Sequence, residues 1–264
     1  MEKLALVTFF SYFCMVKRRF LTIAVCGIIL AIAMLVSHRA PITYGKWTMQ
    51  TAYLWLIDCW YGDGSGSTAS ILLVDDDSGD GIYQLKKICD EVGFKATFAV
   101  IPARLSNKGV DSLRKWQEEG FGICLHGYNH DDWNGWTSQD VIDDINMCEF
   151  LLKHKGFDIK RIIRYVVPPY SRNTTAIRDA IGAKQYKMIT GASLANPDST
   201  LFQLGRVFIT KNTKLKEIEK LLKKAKKKRA FIILGTHSSD RKEFAPDKIK
   251  AILIMAKAIG YKQI

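Results

Sequence analysis

Apolar and polar positions along the chain change period in a repeating order. Ile71 to Val74 is a continuous apolar run, the pattern of a strand buried on both faces. Ile82, Leu85, Ile88 and Val92 then fall on one face of a helix that Gly93 stops. Ala96 to Ile101 reads as a strand ended by Pro102, and Val110, Leu113 and Trp116 mark a helix that stops near Gly120. Phe121 to Leu125 is the next strand. Thr137 or Ser138 caps a helix carrying Val141, Ile142, Ile145, Cys148, Leu151 and Leu152, which Gly156 closes. Ile162 to Val167 is a strand ended by Pro168 and Pro169, with shorter strands expected at Lys187 to Thr190 and Arg206 to Ile209. Ala230 to Leu234 is strand-like, and Ile249 to Ile259 is a last helix. This alternation predicts an α/β fold with a parallel sheet, and about seven units predict a closed or distorted (β/α) barrel.

A different pattern precedes the alternation. Phe20 to Val36 is apolar and uncharged, with Lys17, Arg18 and Arg19 before it and His38 and Arg39 after it. Its length suits a short membrane span or the core of a signal peptide, and the basic flank keeps the preceding end in the cytoplasm. No convincing small-x-small cleavage site follows, which favours an uncleaved anchor; Met15 as the true start would instead make Met15 to Val36 a signal sequence. The expected organisation is a cytoplasmic basic N-terminus over 1–19, an anchor or signal sequence over 20–36, a juxtamembrane segment over 37–69 and a folded domain over 70–264. That domain is expected outside the cytoplasm, membrane-anchored, or secreted if the segment is cleaved.

With 264 residues, 48% of them apolar, the chain can build one large domain with a complete core. Its formal charge of +13 is concentrated in Lys214 to Arg229, where Leu215, Ile218, Leu221, Leu222 and Ala225 keep helical spacing beneath a lysine-rich outer face. A solvated face is the ordinary outcome of such a pattern, and contact with anionic lipid or an acidic polymer is the sharper one; no nucleic-acid partner is expected, and the oligomeric state is open. Cys14 and Cys26 fall in the membrane-directed region. Cys59, Cys89, Cys124 and Cys148 form no C-x-x-C pair, which leaves a zinc ribbon unsupported and one or two disulfides open, with Cys89 and Cys148 on apolar helical faces where buried thiols are the default.

Candidate chemistry sits at the strand ends. Asp75, Asp76 and Asp77 follow the Ile71 to Val74 run, and adjacent carboxylates call for a cation, a shared proton or a solvated turn. A calcium loop starting at Asp76 fails, because its twelfth position is Lys87. His126, His130 and His237 also lie at or just past expected strand ends. His126 and His130 have the H-x-x-x-H spacing that lets two imidazoles reach one ion, and a carboxylate from a neighbouring strand end would complete a three-ligand open site.

The ordered set V-D-D-D at Val74 to Asp77, K-A-T-F at Lys95 to Phe98, L-H-G-Y-N-H at Leu125 to His130, P-P-Y at Pro168 to Tyr170 and L-G-T-H at Leu234 to His237 resembles the polysaccharide deacetylase (NodB-homology, carbohydrate esterase family 4-like) family. The resemblance implies a distorted barrel that removes N- or O-acetyl groups from a carbohydrate polymer or glycan. It makes Asp75 the general base, and His237 the acid for the leaving group. Asp76, His126 and His130 hold one divalent metal, zinc first, with cobalt, nickel or manganese as alternatives. Asp77 replaces the usual glycine after the aspartate pair. Pro169, Tyr170, Trp133 and Trp136 are expected to bind substrate, the aromatic residues by stacking on sugar rings, with core packing as the alternative for each aromatic.

The chain departs from the family pattern in several places. Gly127 stands where a hydroxyl residue is usual, Val167 stands where an arginine would orient the base, and only Asp198 is available to brace the acid histidine. Arg164 and Arg172 bracket the proline pair. Strand alternation turns Arg164 away from Val167, so Arg172 is the expected partner of Asp75. A catalytically impaired, carbohydrate-binding relative is the main alternative, and a metal-independent amidase on small cyclic amides a more remote one.

Overall fold

A computed structural model describes residues 69–191, 196 and 201–264. Residues 1–68 lie outside it, and with them the apolar run at 20–36, Cys59 and the segment boundaries expected there; so does Asp198. No helix among the described residues is long and apolar enough to cross a membrane.

Strand and helix alternate as the pattern predicts. Strand β1 spans Ser70–Asp75, β2 Thr97–Val100, β3 Gly122–Leu125, β4 Tyr165–Val166, β5 Lys187–Thr190, β6 Gln203–Gly205, β7 Val207–Phe208 and β8 Phe231–Thr236. The helices are α1 Ile82–Val92, α2 Asn107–Glu118, α3 Ser138–His154, α4 Thr175–Ala183, α5 Leu215–Lys227 and α6 Pro246–Ile259. Their ends follow local chemistry. Thr137 and Asp140 form a reciprocal capping box at the start of α3, and Gly93 and Gly260 take the left-handed conformation that ends α1 and α6. The hydrophobic pattern does not announce α4, which is nine residues long and buries only Ile177, Ala180 and Ile181. It also misses β9, Lys262–Gln263, which pairs with the start of β1.

All named strand pairs are parallel, in the order β6-β5-β4-β3-β2-β1-β8-β7. The two ends of this path, β6 and β7, are separated in sequence only by Arg206. One chain segment therefore gives its first half to β5 and its second half to β8, and the sheet becomes a near-closed barrel.

Two apolar layers result. Ile71, Leu73, Val100, Ile123 and Leu125 pack against helix residues such as Leu85, Leu113 and Ile145. Leu72, Val74, Ala99, Cys124, Val167, Ile189, Leu204 and Ile233 pack on one another with no helix residue among them, and so fill the inside of the barrel. The cationic helix α5 buries Ile218, Leu222 and Ala225 and exposes Lys216, Lys220, Lys223 and Lys227, in agreement with its pattern. Cys89, Cys124 and Cys148 are buried free thiols.

Candidate active site

Period-two alternation along β1 decides which aspartate enters the barrel. Leu72 and Val74 face inward, Ile71 and Leu73 face the helices, so Asp75 points towards the helices and Asp76 inward. Asp75 is fully buried there, where its two oxygens accept from the Ser238 backbone N–H at 2.7 Å and the Ser238 hydroxyl at 2.6 Å. It contacts no described arginine. Asp77 lies beyond the strand, where a φ of 69° turns its side chain to the rim.

Asp77, not Asp76, joins the two histidines. Its Oδ1 lies 3.3 Å from His126 Nε2 and 3.4 Å from His130 Nε2. With metal–ligand bonds of about 2.0–2.2 Å, ligand atoms of a tetrahedral site stand roughly 3.3–3.6 Å apart, so the spacing fits a divalent ion. The tautomer fits too: His126 Nδ1 lies 2.7 Å from the Val167 carbonyl, and donating to it leaves the Nε2 lone pair free towards the other two groups. Burial, then the neighbouring His126, lowers the His130 pKa, which favours the neutral imidazole a metal needs. The H-x-x-x-H loop is anchored by Asp144, which accepts from the Tyr128 N–H at 2.7 Å. Gly127 has a φ of 76°, and a Cβ there would lie 2.9 Å from Pro169 Cγ, so a hydroxyl side chain has no room.

Asp76 turns inward beside this group. Its Oδ1 accepts from Arg206 Nη1 at 2.7 Å, and its Oδ2 lies 3.4 Å from His237 Nε2. Burial opposes its charge, but Arg206, His126 and His237 together hold its carboxyl well below the usual range. The hydrogen bond to Asp76 correspondingly raises the His237 pKa. Glu243 approaches the other side of His237, with Oε2 at 3.9 Å from Nδ1.

The remaining expected site residues divide. Arg172 does not reach Asp75; it pairs at the surface with Asp132 at 2.5 and 2.7 Å, because Asp132 lies beside the Pro169–Arg172 turn. Arg164 points outward, as alternation requires, to Glu149 at 3.2 Å. Trp133 is wholly buried in the core and cannot stack on a ligand, and Trp136 packs half-buried against the same core. Pro169 is buried beside Gly127. Tyr170 is exposed, and its ring lies 4.7 Å from that of His130. Among the described residues, five of the seven non-glycine positions with positive φ are Asp77, Ser78, His130, Tyr170 and Ser171, all at this rim, where strain is tolerated in exchange for placement.

Two partners of the aspartates are not expected from sequence, Arg206 and Ser238. For Arg206 the signal was available: Leu204, Arg206 and Phe208 alternate through a strand, which puts a guanidinium on the inward face. Ser238 carried no such signal.

The polysaccharide deacetylase family model matches residues 64–189. No curated protein matches the sequence. Among solved structures, a chitin deacetylase from the fungal pathogen Colletotrichum lindemuthianum is 18% identical, with TM-score 0.57 over 76% of this chain and 87% of that one. A family 4 acetyl xylan esterase from Clostridium thermocellum, in complex with a cobalt ion, is 13% identical, with TM-score 0.54 over 74% and 86%. A carbohydrate esterase family 4 pseudoenzyme from Bacillus anthracis is 14% identical, with TM-score 0.50 over 75% and 63%. At these identities the structures share this chain's fold and say nothing more of it.

Proposed function

Because this chain belongs, over residues 64–189, to the polysaccharide deacetylase family, we propose that it is a metal-dependent hydrolase that removes N- or O-acetyl groups from a carbohydrate polymer or glycan. The observation that carries the reading is the convergence, at one rim of the barrel, of the donor group Asp77, His126 and His130 with an ionised carboxylate, Asp76, and an imidazole, His237. The sequence reading placed the base at Asp75 and the carboxylate ligand at Asp76; we move both roles one residue along, to Asp76 and Asp77.

A divalent cation held by Asp77, His126 and His130, zinc first, would supply Lewis-acid activation of the attacking water and of the acetyl carbonyl. Asp76, kept ionised, takes the proton that this water loses as its oxygen bonds to the carbonyl carbon. His237 Nε2 gives a proton to the departing nitrogen or oxygen as the acyl bond breaks, which leaves acetate and a free amine or hydroxyl. Tyr170 offers an exposed ring face beside His130 on which a sugar can stack. The basic flank before Phe20 supports a working place outside the cytoplasm.

A second reading, a carbohydrate-binding relative without turnover, is favoured by the neutral side chain at Val167. Metal analysis of the purified chain, followed by acetate release from a panel of acetylated glycans, separates the two. We expect one zinc per chain, lost in His126→Ala, His130→Ala and Asp77→Ala and kept in Asp76→Asn. Unchanged metal in the three ligand variants rejects the site; metal without acetate from any glycan favours the second reading.

A further inference from the structure

We infer that Arg206, carried by the segment that closes the barrel, is the positioning residue for Asp76, and that the same segment aligns His237 through Phe208. The inference rests on the reading of Asp76 as base and His237 as acid.

Geometry makes Arg206 the link between barrel closure and chemistry. The segment leaves β5 after Gly205 and joins β8 at Val207, so Arg206 is the single residue that belongs to neither ladder. Leu204 lies in the inner layer, so alternation sends Arg206 and Phe208 inward as well. Arg206 and Asp76 are 2% and 1% exposed at an N···O distance of 2.7 Å, a desolvated ion pair. The Arg206 guanidinium carbon lies 4.3 Å from the Phe208 ring centroid, and Phe208 stacks on the His237 ring at 4.9 Å and 8°. One segment thus touches both proton-transfer groups.

The surroundings are shaped for this side chain. A Cβ at Gly235 would stand 3.1 Å from Arg206 Cδ and 3.2 Å from the Phe208 ring, so the glycine two residues before His237 leaves room for both. Val167, the position where the resemblance leads one to expect the orienting arginine, is buried and neutral, and Arg164 and Arg172 are engaged at the surface. Stability alone does not account for the pair. Buried ion pairs seldom outperform apolar side chains of the same volume, and Arg206 Nε finds no protein partner beside a largely apolar inner layer that includes Leu72, Val74, Ala99 and Leu204. A charge kept at that cost, bonded to the buried carboxylate that faces His237 Nε2, is placed for function.

The test uses the full chain with Arg206→Ala and Arg206→Lys, zinc content, and acetate release with and without added guanidinium ion. Arg206→Ala is expected to keep one zinc per chain and to lose about 10–100-fold in kcat, the effect of losing a charge-assisted hydrogen bond to a reacting group. KM should move less than about threefold, and guanidinium should recover part of the lost kcat in Arg206→Ala but none in Asp76→Asn. Should Arg206→Ala fail to fold, Arg206→Lys carries the same expectation of lower kcat with zinc retained, because an ammonium lacks the planar fork. Unchanged kcat in either variant, or no guanidinium rescue of a folded Arg206→Ala, overturns the role. A thermal double-mutant cycle of Arg206→Met with Asp76→Asn reads the pairing without turnover: the double variant should be more stable than the two single losses add up to, and additivity overturns the pair. If the wild-type chain releases no acetate, the proposed function fails while the cycle still decides the pairing.

Discussion

Asp75 and Asp76 are neighbours in one strand and experience opposite environments. Burial raises the Asp75 pKa to about 8 despite the two donors of Ser238, whereas Arg206 and two histidines keep Asp76 ionised. In the proposed function Asp75 is a structural tie, holding Ser238 and with it the residue before, His237. Asn at 75 can still accept from the Ser238 N–H and donate to its hydroxyl, so Asp75→Asn should fold and keep acetate release within about tenfold of wild type. Asp76→Asn should lose about 10²–10⁴-fold with metal retained, the range typical of a lost general base. If the two variants exchanged these outcomes, the base would be Asp75 after all.

Helices α3 and α4 are tied to the sheet by a charged cluster that the alternating pattern does not show. Glu149 on α3 receives Lys184 at 2.8 Å and Tyr186 at 2.7 Å, with Arg164 at 3.2 Å, and so joins α3 to the chain between α4 and β5. Burial opposes its ionisation, but these donors outweigh burial and lower its pKa. A folded-state pKa below the unfolded one gives stability that is present above the unfolded value, about 4.3, and is lost as pH falls through the folded value. Glu149→Gln should therefore be less stable than wild type at neutral pH, with the gap shrinking towards about pH 3. Urea midpoints at both pH values measure this; an equal gap at both would mean that the carboxylate charge is not what ties the elements together.

At the scale of the whole molecule, the expected export of the barrel is a proposal about residues outside the described ones. Reporter fusions joined after Tyr61 should be active only in an exported compartment, because the cations before Phe20 hold that end in the cytoplasm; cytoplasmic reporter activity would sink the proposal.

Much of the barrel was determined by sequence alone, because burial on two faces imposes unbroken apolar runs and helix packing imposes its own spacing. Ile71 to Val74, the α1 stripe from Ile82 to Val92 and Lys187 to Thr190 all read correctly for that reason. His126, His130 and His237 were legible because strand ends are where such a fold places its chemistry. Only the tertiary structure decided the register of the aspartates and the source of the guanidinium. A one-residue step along a strand reverses the face a side chain presents, so three consecutive aspartates could not be assigned until the neighbours of Leu72 and Leu73 were known. Arg206 meets Asp76 across 130 residues because β7 closes onto β8 next to β1, a pairing set by barrel closure.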